Sequence, residues 1–279
     1  MQKKIVVHMY LKNGKAVTGF DGKELLEDGD VMSIAQHYSN NGADELLIFD
    51  LSDDDVDHEQ SLNLIRQISR VIDIPMSGGG HIKNLEDVKK LLYAGCQQVF
   101  LNYAKAANIE LTEEVSKRFG KEKIAICTDS FAQLQANKAR VNEYTSRVIL
   151  LCDEVDVRTT ARLVEVPVLP VSTRADRHGL LKLLMLDNIC GVCGDTFSDL
   201  NEDLMAAKLE AKKHGVEINT FESNMSWNEL KLNSDGMIPV VVQDYKNLEV
   251  LMVAYMNRAQ AHPVQVLFCC AKDLECMQC

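Results

Sequence analysis

The first 220 or so residues alternate short apolar segments with helical patterns, and this alternation is the most restrictive feature of the sequence. Parallel strands need a crossover connection, so a chain in which helices follow strands builds a parallel sheet covered by helices. Eight strand candidates therefore predict a (β/α)8 TIM barrel of the α/β class, and a doubly wound open sheet is the alternative. The strand candidates are Lys4–Met9, Glu45–Asp50, Ile74–Met76, Gln98–Asn102, Lys123–Thr128, Arg147–Cys152, Val166–Val171 and Asn188–Val192.

Helical apolar spacing separates most of these strand candidates. Three of the helical segments are followed at or near the C′ position by a glycine, a residue that commonly ends a helix there. The helix candidates are Val31–Asn40, Ser61–Val71, Leu85–Leu92, Thr112–Phe119, Arg158–Val164, Asp176–Leu184 and Leu200–His214.

The composition is that of an ordinary globular protein with an excess of acidic residues. Of the 279 residues, 46% are apolar and 25% are charged, which suffices for a full hydrophobic core. The formal net charge of −11 argues against a nucleic-acid partner, because phosphate backbones need a basic surface. The first apolar run ends at Lys12 and is too short for a signal peptide, and no segment reaches the length of a membrane span. We therefore expect a cytoplasmic protein with no membrane partner.

A glycine-rich segment, IPMSGGGHI at residues 74–82, follows the third strand candidate and leads into a helix. A proline ends a short apolar run, three glycines follow, and Asn84 stands where an N-cap residue belongs. Small residues at the end of a strand allow a phosphate to approach bare backbone N–H groups. The segment therefore suggests a phosphate site, and a glycine turn that serves only backbone geometry is the alternative.

Polar residues collect at the predicted carboxyl ends of the strands, where function resides in a TIM barrel. The acidic run Asp53-Asp54-Asp55, which follows the second strand candidate, is read as a solvated loop or a helix start rather than as a metal site. The candidates at these ends are Asp50, Gly78–Gly80, Asn102, Asp129, Asp153, Ser172–Arg174 and Cys193-Gly194.

The nine cysteines form two groups. Five stand in strand contexts and are predicted to be reduced core thiols: Cys96, Cys127, Cys152, Cys190 and Cys193. The other four lie near the C-terminal end, where Cys276 and Cys279 form a CxxC pair without a second half. A tetrahedral zinc site needs four ligands, so we predict no metal site in this chain.

Several of these motifs resemble the histidine-biosynthesis barrels, and the closest is the cyclase subunit of imidazole glycerol phosphate synthase. The resemblance runs from residue 3 to about 130 and is faint from there to about 220. It implies a barrel of the ribulose-phosphate-binding type with two phosphate sites and two catalytic aspartates. The motifs are LEDGD at 26–30, NGADELLIFD at 41–50, SGGGHI at 77–82, VFLN at 99–102 and RFG at 118–120.

The resemblance assigns roles to individual residues unevenly. Gly79, Gly80 and Asn102 occupy the place of the first phosphate site, and Asp129 occupies the place of one catalytic aspartate. The position of the other aspartate holds Tyr10. A phenol with a pKa of about 10 is a poor substitute for a carboxylate with a pKa of about 4. General acid–base chemistry of the family kind needs both groups.

The second phosphate site of the family also differs here. Its double-glycine turn after the seventh strand is replaced by VSTR at residues 171–174, so Arg174 is the remaining candidate for a phosphate contact. The connection between the fifth and sixth strands is also shorter than in the family. These departures predict a degenerate barrel that binds a phosphoribosyl compound but has lost cyclase–lyase activity.

A second resemblance begins beyond Gly215. Residues 227–257 read as two apolar strands joined by a polar turn at 244–247, and they closely resemble the opening of phosphoribosyl-AMP cyclohydrolase. That family is a zinc- and magnesium-dependent hydrolase whose metal ligands would follow Asn257. We therefore expect no cofactor in this chain. We expect a cyclase-like barrel at 1–222, the start of a cyclohydrolase-like domain at 223–257, and an atypical, truncated or frameshifted tail at 258–279.

Three functions stay open at this point. The first is a histidine-biosynthesis polypeptide of the cyclohydrolase type with a degenerate barrel. The second is a non-catalytic phosphoribosyl-binding or scaffold barrel. The third is an active cyclase-like lyase that uses Asp129 and a substitute for the missing aspartate. In each, the small-molecule partner is a phosphoribosyl compound, and the protein partner would be a second copy of this chain or another subunit of the pathway.

Overall fold

The computed structural model describes residues 2–153, 155–220, 227–243 and 249–258. The chain divides into two compact units, Met1–Ile218 (unit 1) and Asn219–Cys279 (unit 2). Within the described ranges, no helix is both long enough and apolar enough to cross a membrane.

Unit 1 contains a closed ring of eight parallel strands with a short antiparallel extension. Its strands are β1 Lys4–Lys12, β2 Lys15–Thr18, β3 Glu24–Leu25, β4 Glu45–Asp50, β5 Met76–Gly79, β6 Gln98–Asn102, β7 Ile124–Thr128, β8 Arg147–Leu151, β9 Val168–Ser172 and β10 Gly191–Gly194. The ring closes where β1 pairs in parallel with β10, with Lys4 aligned to Gly191. This closure confirms the predicted TIM barrel and excludes the open sheet, whose edge strands would stay unpaired.

Helices connect successive barrel strands. They are α1 Val31–Asn40, α2 Asp55–Val71, α3 Leu85–Tyr93, α4 Ala106–Phe119, α5 Phe131–Ala136, α6 Lys138–Tyr144, α7 Val157–Leu163, α8 Arg177–Leu184, α9 Asp195–Ser198 and α10 Leu204–Lys213, with a 3-10 helix at Lys121–Lys123. Asn84 caps α3 as predicted and forms a reciprocal capping box with Asp87. The sequence pattern did not predict α5 and α6, which are short and bury only one residue each, Leu134 and Val141.

The third barrel strand, β5, spans Met76–Gly79, so the predicted strand Ile74–Met76 was wrong at both ends. Gly78 and Gly79 lie inside β5, in register with Val99 and Phe100 of β6. A Cβ atom on Gly79 would stand 2.3 Å from the ring of Phe100, and one on Gly78 would stand 2.8 Å from Cys96 Sγ. These two glycines therefore make room for neighbouring side chains and do not form a turn.

The last barrel strand begins later than predicted, at Gly191 rather than at Asn188. Asn188 has a φ of 60°, a left-handed conformation that an extended strand does not adopt. Its side-chain amide donates to the carbonyl oxygens of Ala161, Val164 and Val166 at 2.9–3.0 Å. Asn188 thus ties the end of α7 to the start of β9 instead of extending the sheet.

Alternate strand residues fill the barrel interior, while the others pack against the helices. The interior cluster includes Val6, Tyr10, Leu47, Phe49, Phe100, Ala125, Cys127, Ile149, Leu169, Val171 and Cys193. The five cysteines of unit 1 are free thiols, as predicted, and burial raises the pKa of Cys96 and of Cys127 to about 12.

A buried ion pair lies inside the barrel at the amino ends of its strands. Arg147 opens β8 and donates from Nη1 to Glu45 Oε2 at 3.0 Å and from Nη2 to Ser77 Oγ at 2.9 Å; Nη2 also contacts Glu45 Oε1. Lys4 Nζ lies 3.1 Å from Glu45 Oε2. Glu45 and Arg147 are only 3% and 8% exposed, so the pair is shielded from water.

The described part of unit 2 is a hairpin preceded by a 3-10 helix at Trp227–Glu229. Strands β11 Ile238–Gln243 and β12 Val250–Met256 pair antiparallel, which confirms the predicted pair of strands. Large apolar side chains of β12 stay exposed, including Leu251 and Val253. The predicted turn at 244–247 and the residues from 259 onward, with Cys276 and Cys279, lie outside the described residues.

Candidate functional site

A cavity of about 390 Å³ opens at the carboxyl ends of the barrel strands, the end at which function resides in this fold. We refer to it as the mouth cavity. Its wall combines charges of both signs with a layer of aromatic rings. The charged lining residues are Lys12, Asp50, Asp53, Lys105 and Asp129, and the aromatic ones are Phe20, Phe49 and Phe100.

The side of the mouth cavity at β6 and α4 is suited to an anion. The side-chain oxygen of Asn102 accepts the N–H of Ala104 at 2.9 Å and so shapes the turn before α4. Lys105 is the N-cap residue of α4 and makes no side-chain cap bond. Among the described residues, the N–H groups of Ala106 and Ala107 donate to no backbone carbonyl. Free N–H groups, the helix dipole and the ammonium of Lys105 all favour a phosphate here.

Gly80 shapes the neighbouring part of the wall. Gly79 and Gly80 both line the mouth cavity, as the sequence suggested. Gly80 has a φ of 109°, and a Cβ atom at this residue would stand 2.0 Å from the carbonyl oxygen of Asp50. The glycine is therefore required by close backbone approach between β5 and the end of β4.

Two stacked histidines stand behind Asp50, and the sequence analysis missed them. His58 Nδ1 lies 2.5 Å from Asp50 Oδ2, and the rings of His58 and His81 stack with centroids 4.8 Å apart. His81 Nδ1 faces the carbonyl of Ser52 at 3.0 Å, and its Nε2 faces the carboxylate of Asp55 at 2.9 Å. Both partners are acceptors, so each ring nitrogen of His81 has an acceptor within hydrogen-bond distance.

The signal that could have found this network is a carboxylate at a strand end followed by a histidine in the first turns of the next helix. Hydrogen bonds from Lys83 and His81 hold the pKa of Asp55 at about 2. Asp50 is only 4% exposed and still lines the mouth cavity. The network therefore fixes the Asp50 carboxylate in the wall of the mouth cavity and holds the His81 ring next to Gly80 in the chain.

Asp129 and Tyr10, the two positions that the resemblance assigned to catalysis, do not share one cavity. Asp129 follows β7 and is exposed in the mouth cavity. Tyr10 is 2% exposed and does not line that cavity. Its ring lies 4.7 Å from that of Phe20 and 5.3 Å from that of Phe49. Burial, with a smaller effect from Asp195, raises the pKa of Tyr10, so the phenol stays protonated at neutral pH.

The family model described as "Histidine biosynthesis protein" matches residues 4–187 of this chain. The chain belongs to this family. Curated relatives of the chain carry the name imidazole glycerol phosphate synthase subunit HisF. The relative from Flavobacterium psychrophilum is 33% identical over 130 residues, which cover 47% of this chain and 52% of that protein.

Two further relatives carry the same name and have similar sequence identity to this chain. The HisF subunit of Haemophilus influenzae is 32% identical over 162 residues, which cover 57% of this chain and 60% of the relative. The HisF subunit of Staphylococcus aureus is 34% identical over 131 residues, which cover 47% and 52%. The chain thus spans about half the length of the curated relatives it matches.

In this histidine biosynthesis barrel the donors after β9 are already engaged. Asp153, which follows β8, accepts Ser172 Oγ at 2.5 Å, and each of its oxygens accepts the N–H of Thr173 at 3.1 Å. Burial alone would raise the pKa of Asp153, but the hydroxyls of Ser172 and Thr173 lower it below the ordinary value. Arg174 is exposed and does not line the mouth cavity. The hydroxyl of Ser172 and the N–H of Thr173, which could otherwise meet an anion at this side, therefore bind the protein's own carboxylate.

Metal ligands are not grouped in the part of the chain that the structure describes. Within those ranges, no three histidine, cysteine or acidic side chains lie close enough together to hold a metal ion. The positions beyond Asn257, where the cyclohydrolase resemblance would place zinc and magnesium ligands, lie outside the described residues apart from Arg258.

Proposed function

We propose that the barrel binds a phosphorylated ribosyl compound of histidine biosynthesis and does not carry out cyclase turnover. The mouth cavity is the observation that carries this proposal. It places Lys105 and the start of α4 at one side and Asp129 at another, while the phenol of Tyr10 stands outside. Binding needs only an anion site and polar groups for the sugar, whereas acid–base catalysis needs a second titrating group that faces the first.

The ligand of this proposal carries one phosphate. Phosphate contacts come from the N-terminus of α4, Lys105, Asn102 and the backbone at Gly80. A second phosphate would need donors on another side of the barrel, and those of Ser172 and Thr173 are bound to Asp153. The negative charge of Asp153 would also repel a phosphate at that position.

Calorimetric titration with ribose 5-phosphate tests the proposal. Lys105→Ala should weaken binding about tenfold or more, because it removes a charge-assisted contact. Lys89→Ala is the matched control, since Lys89 lies on α3 and pairs with Glu86 away from the mouth cavity. An equal effect of the two variants, or no binding by the unmodified chain, would contradict the proposal.

A cyclase-like lyase is the second candidate, and Asp50 is the observation that favours it. Asp50 lines the same cavity as Asp129 and is paired with His58, so a second carboxylate is available although Tyr10 is not one. The names of the relatives point in the same direction. Incubation of the purified chain with ammonia and the natural cyclase substrate separates the two candidates. Turnover that disappears in Asp50→Asn and in Asp129→Asn would replace the binding proposal by the lyase.

For unit 2 we propose that residues 223–257 begin a cyclohydrolase-like domain, with an atypical tail at 258–279. The hairpin of β11 and β12 supports this proposal. We expect no hydrolysis of phosphoribosyl-AMP by this chain when zinc and magnesium are added, and measurable hydrolysis would refute that expectation. A second copy of the chain or a pathway subunit is the proposed protein partner, and sedimentation measurements would distinguish a dimer from a monomer.

A further inference from the structure

The turn between β1 and β2 consists of an asparagine followed by a glycine. Lys12 pairs with Lys15 across the two strands, so only Asn13 and Gly14 form the loop. Both residues have a positive φ, of 50° and 71°, which is the geometry of a type I′ hairpin turn. The same pair of residues is chemically labile, because the backbone nitrogen of a glycine can attack the side-chain amide of the asparagine before it.

Both reacting groups of this turn are accessible. The side chain of Asn13 is exposed and makes no hydrogen bond to any residue that the structure describes. Within the same ranges, the N–H of Gly14 donates to no backbone carbonyl. A Cβ atom added at Gly14 would meet only Gln60 Oε1, at 3.5 Å, so the space around this nitrogen is open.

A second asparagine–glycine pair, Asn41-Gly42, gives an internal comparison. The side chain of Asn41 is held in place, because its Nδ2 donates to the carbonyl oxygen of Glu202 at 2.7 Å. Its backbone N–H also donates to His37 O at 2.8 Å and so closes the end of α1. Attack on the Asn41 amide therefore requires that the contact with Glu202 be broken first.

We propose that Asn13 is a site of spontaneous deamidation and isoaspartate formation. The nitrogen of Gly14 gives up its proton to solvent base and bonds to Cγ of Asn13, and Nδ2 leaves as ammonia with a proton from water. The product is a cyclic succinimide. A water molecule then opens the ring at either carbonyl and leaves aspartate or isoaspartate. The ammonium groups of Lys12 and Lys15, which flank the turn, stabilise the negative charge of the attacking nitrogen.

The two products differ in their effect on the hairpin. Aspartate also suits the first position of a type I′ turn, so it adds a charge and keeps the fold. Isoaspartate carries an extra backbone carbon and disturbs the pairing of Lys12 with Lys15. Lys12 lines the mouth cavity, and β2 leads directly to Phe20, which lines it as well. Isoaspartate at position 13 therefore alters the wall of the mouth cavity, whichever ligand that cavity binds.

Incubation of the full chain at mildly alkaline pH, followed by peptide mapping, tests the site. Cleavage at glutamate separates Asn13 from Asn41, and mass spectrometry detects the exchange of the amide NH2 for OH. We expect Asn13 to react about tenfold faster than Asn41, because a hydrogen bond must be broken at Asn41, and we expect its rate to rise with pH. Equal rates in the folded chain, or reaction of Asn13 only in urea, would overturn the proposal.

Three controls assign the effect to the turn. In urea the two asparagines should react at similar rates, because the contact of Asn41 with Glu202 is lost. Asn13→Gln should abolish the reaction at position 13, and Asn41→Gln is the matched control that should leave it unchanged. Asn13→Asp should keep the amide NMR shifts of β2, whereas the isoaspartate fraction of the incubated chain should lose them. Unchanged shifts in that fraction would contradict the predicted effect on the hairpin.

Discussion

Replacing Arg147 by methionine should leave a carboxylate buried without its main counter-charge. Glu45 is 3% exposed and receives Arg147 Nη1 at 3.0 Å, Ser77 Oγ at 2.7 Å and Lys4 Nζ at 3.1 Å. Removal of one partner of a buried pair costs about 3–5 kcal/mol. Because Lys4 and Ser77 still contact Glu45 in this variant, we expect a loss of about 3 kcal/mol in the free energy of unfolding.

The ion pair of Glu45 and Arg147 also predicts that the free energy of unfolding depends on pH. Burial alone would raise the pKa of Glu45, but the charge and hydrogen bonds of Arg147 lower it from 4.5 to about 2. The depressed pKa stabilises the fold above pH 4.5, and this contribution is lost as the pH falls toward 2. At 1.36 kcal/mol per pKa unit, the contribution of Glu45 is about 3 kcal/mol.

Urea denaturation at several pH values measures both effects. Arg147→Met should lower the unfolding free energy at pH 7, and the double variant Glu45→Leu with Arg147→Met should recover most of the loss, since no buried charge remains. The stability gap between the unmodified chain and Glu45→Gln should close between about pH 5 and pH 2. A loss below about 1 kcal/mol for Arg147→Met, or a gap that does not change with pH, would refute the reasoning.

Two smaller substitutions test local features of the barrel. Gly80→Ala should cost about 2 kcal/mol or more in a urea titration, because its Cβ would collide with the Asp50 carbonyl at a φ of 109°. Gly215→Ala is the control, because Gly215 also has a positive φ, of 81°, but a Cβ atom added there would have no other atom within 4 Å. This variant should therefore lose less free energy of unfolding than Gly80→Ala. Asp156→Ala should cost about 1 kcal/mol because it removes the N-cap that accepts the N–H groups of Arg158 and Thr159, and Asp156→Ser should restore most of the loss in thermal melts. An effect of Asp156→Ser as large as that of the alanine would contradict the capping argument.

Local features of the sequence were enough to predict the architecture. Strand and helix periodicity depends on neighbours within a few residues, so the eight strands, most of the helices and the cap at Asn84 follow from short segments. The positions at the strand ends followed from the barrel itself, because parallel strands place their carboxyl ends on one rim. Asp50, Gly80, Asn102 and Asp129 indeed line the mouth cavity.

Contacts between distant segments could only come from the tertiary structure. Arg147 meets Glu45 across 102 positions of sequence, and Asp153 meets Ser172 and Thr173 across the ends of two strands. No periodicity encodes such pairs, because they depend on how the closed ring sets the stagger of its strands. The glycines of β5 were misplaced for the same reason, since the need for Gly79 arises from the ring of Phe100 on the next strand.

The sequence by itself determined a barrel of alternating strands and helices, with its polar residues at one rim, because these properties are local and periodic. The tertiary structure decided that Tyr10 is buried away from Asp129 and that Asp50 is joined to His58. Both outcomes depend on how side chains from distant segments pack against one another in the close-packed interior, and local sequence patterns do not contain that information.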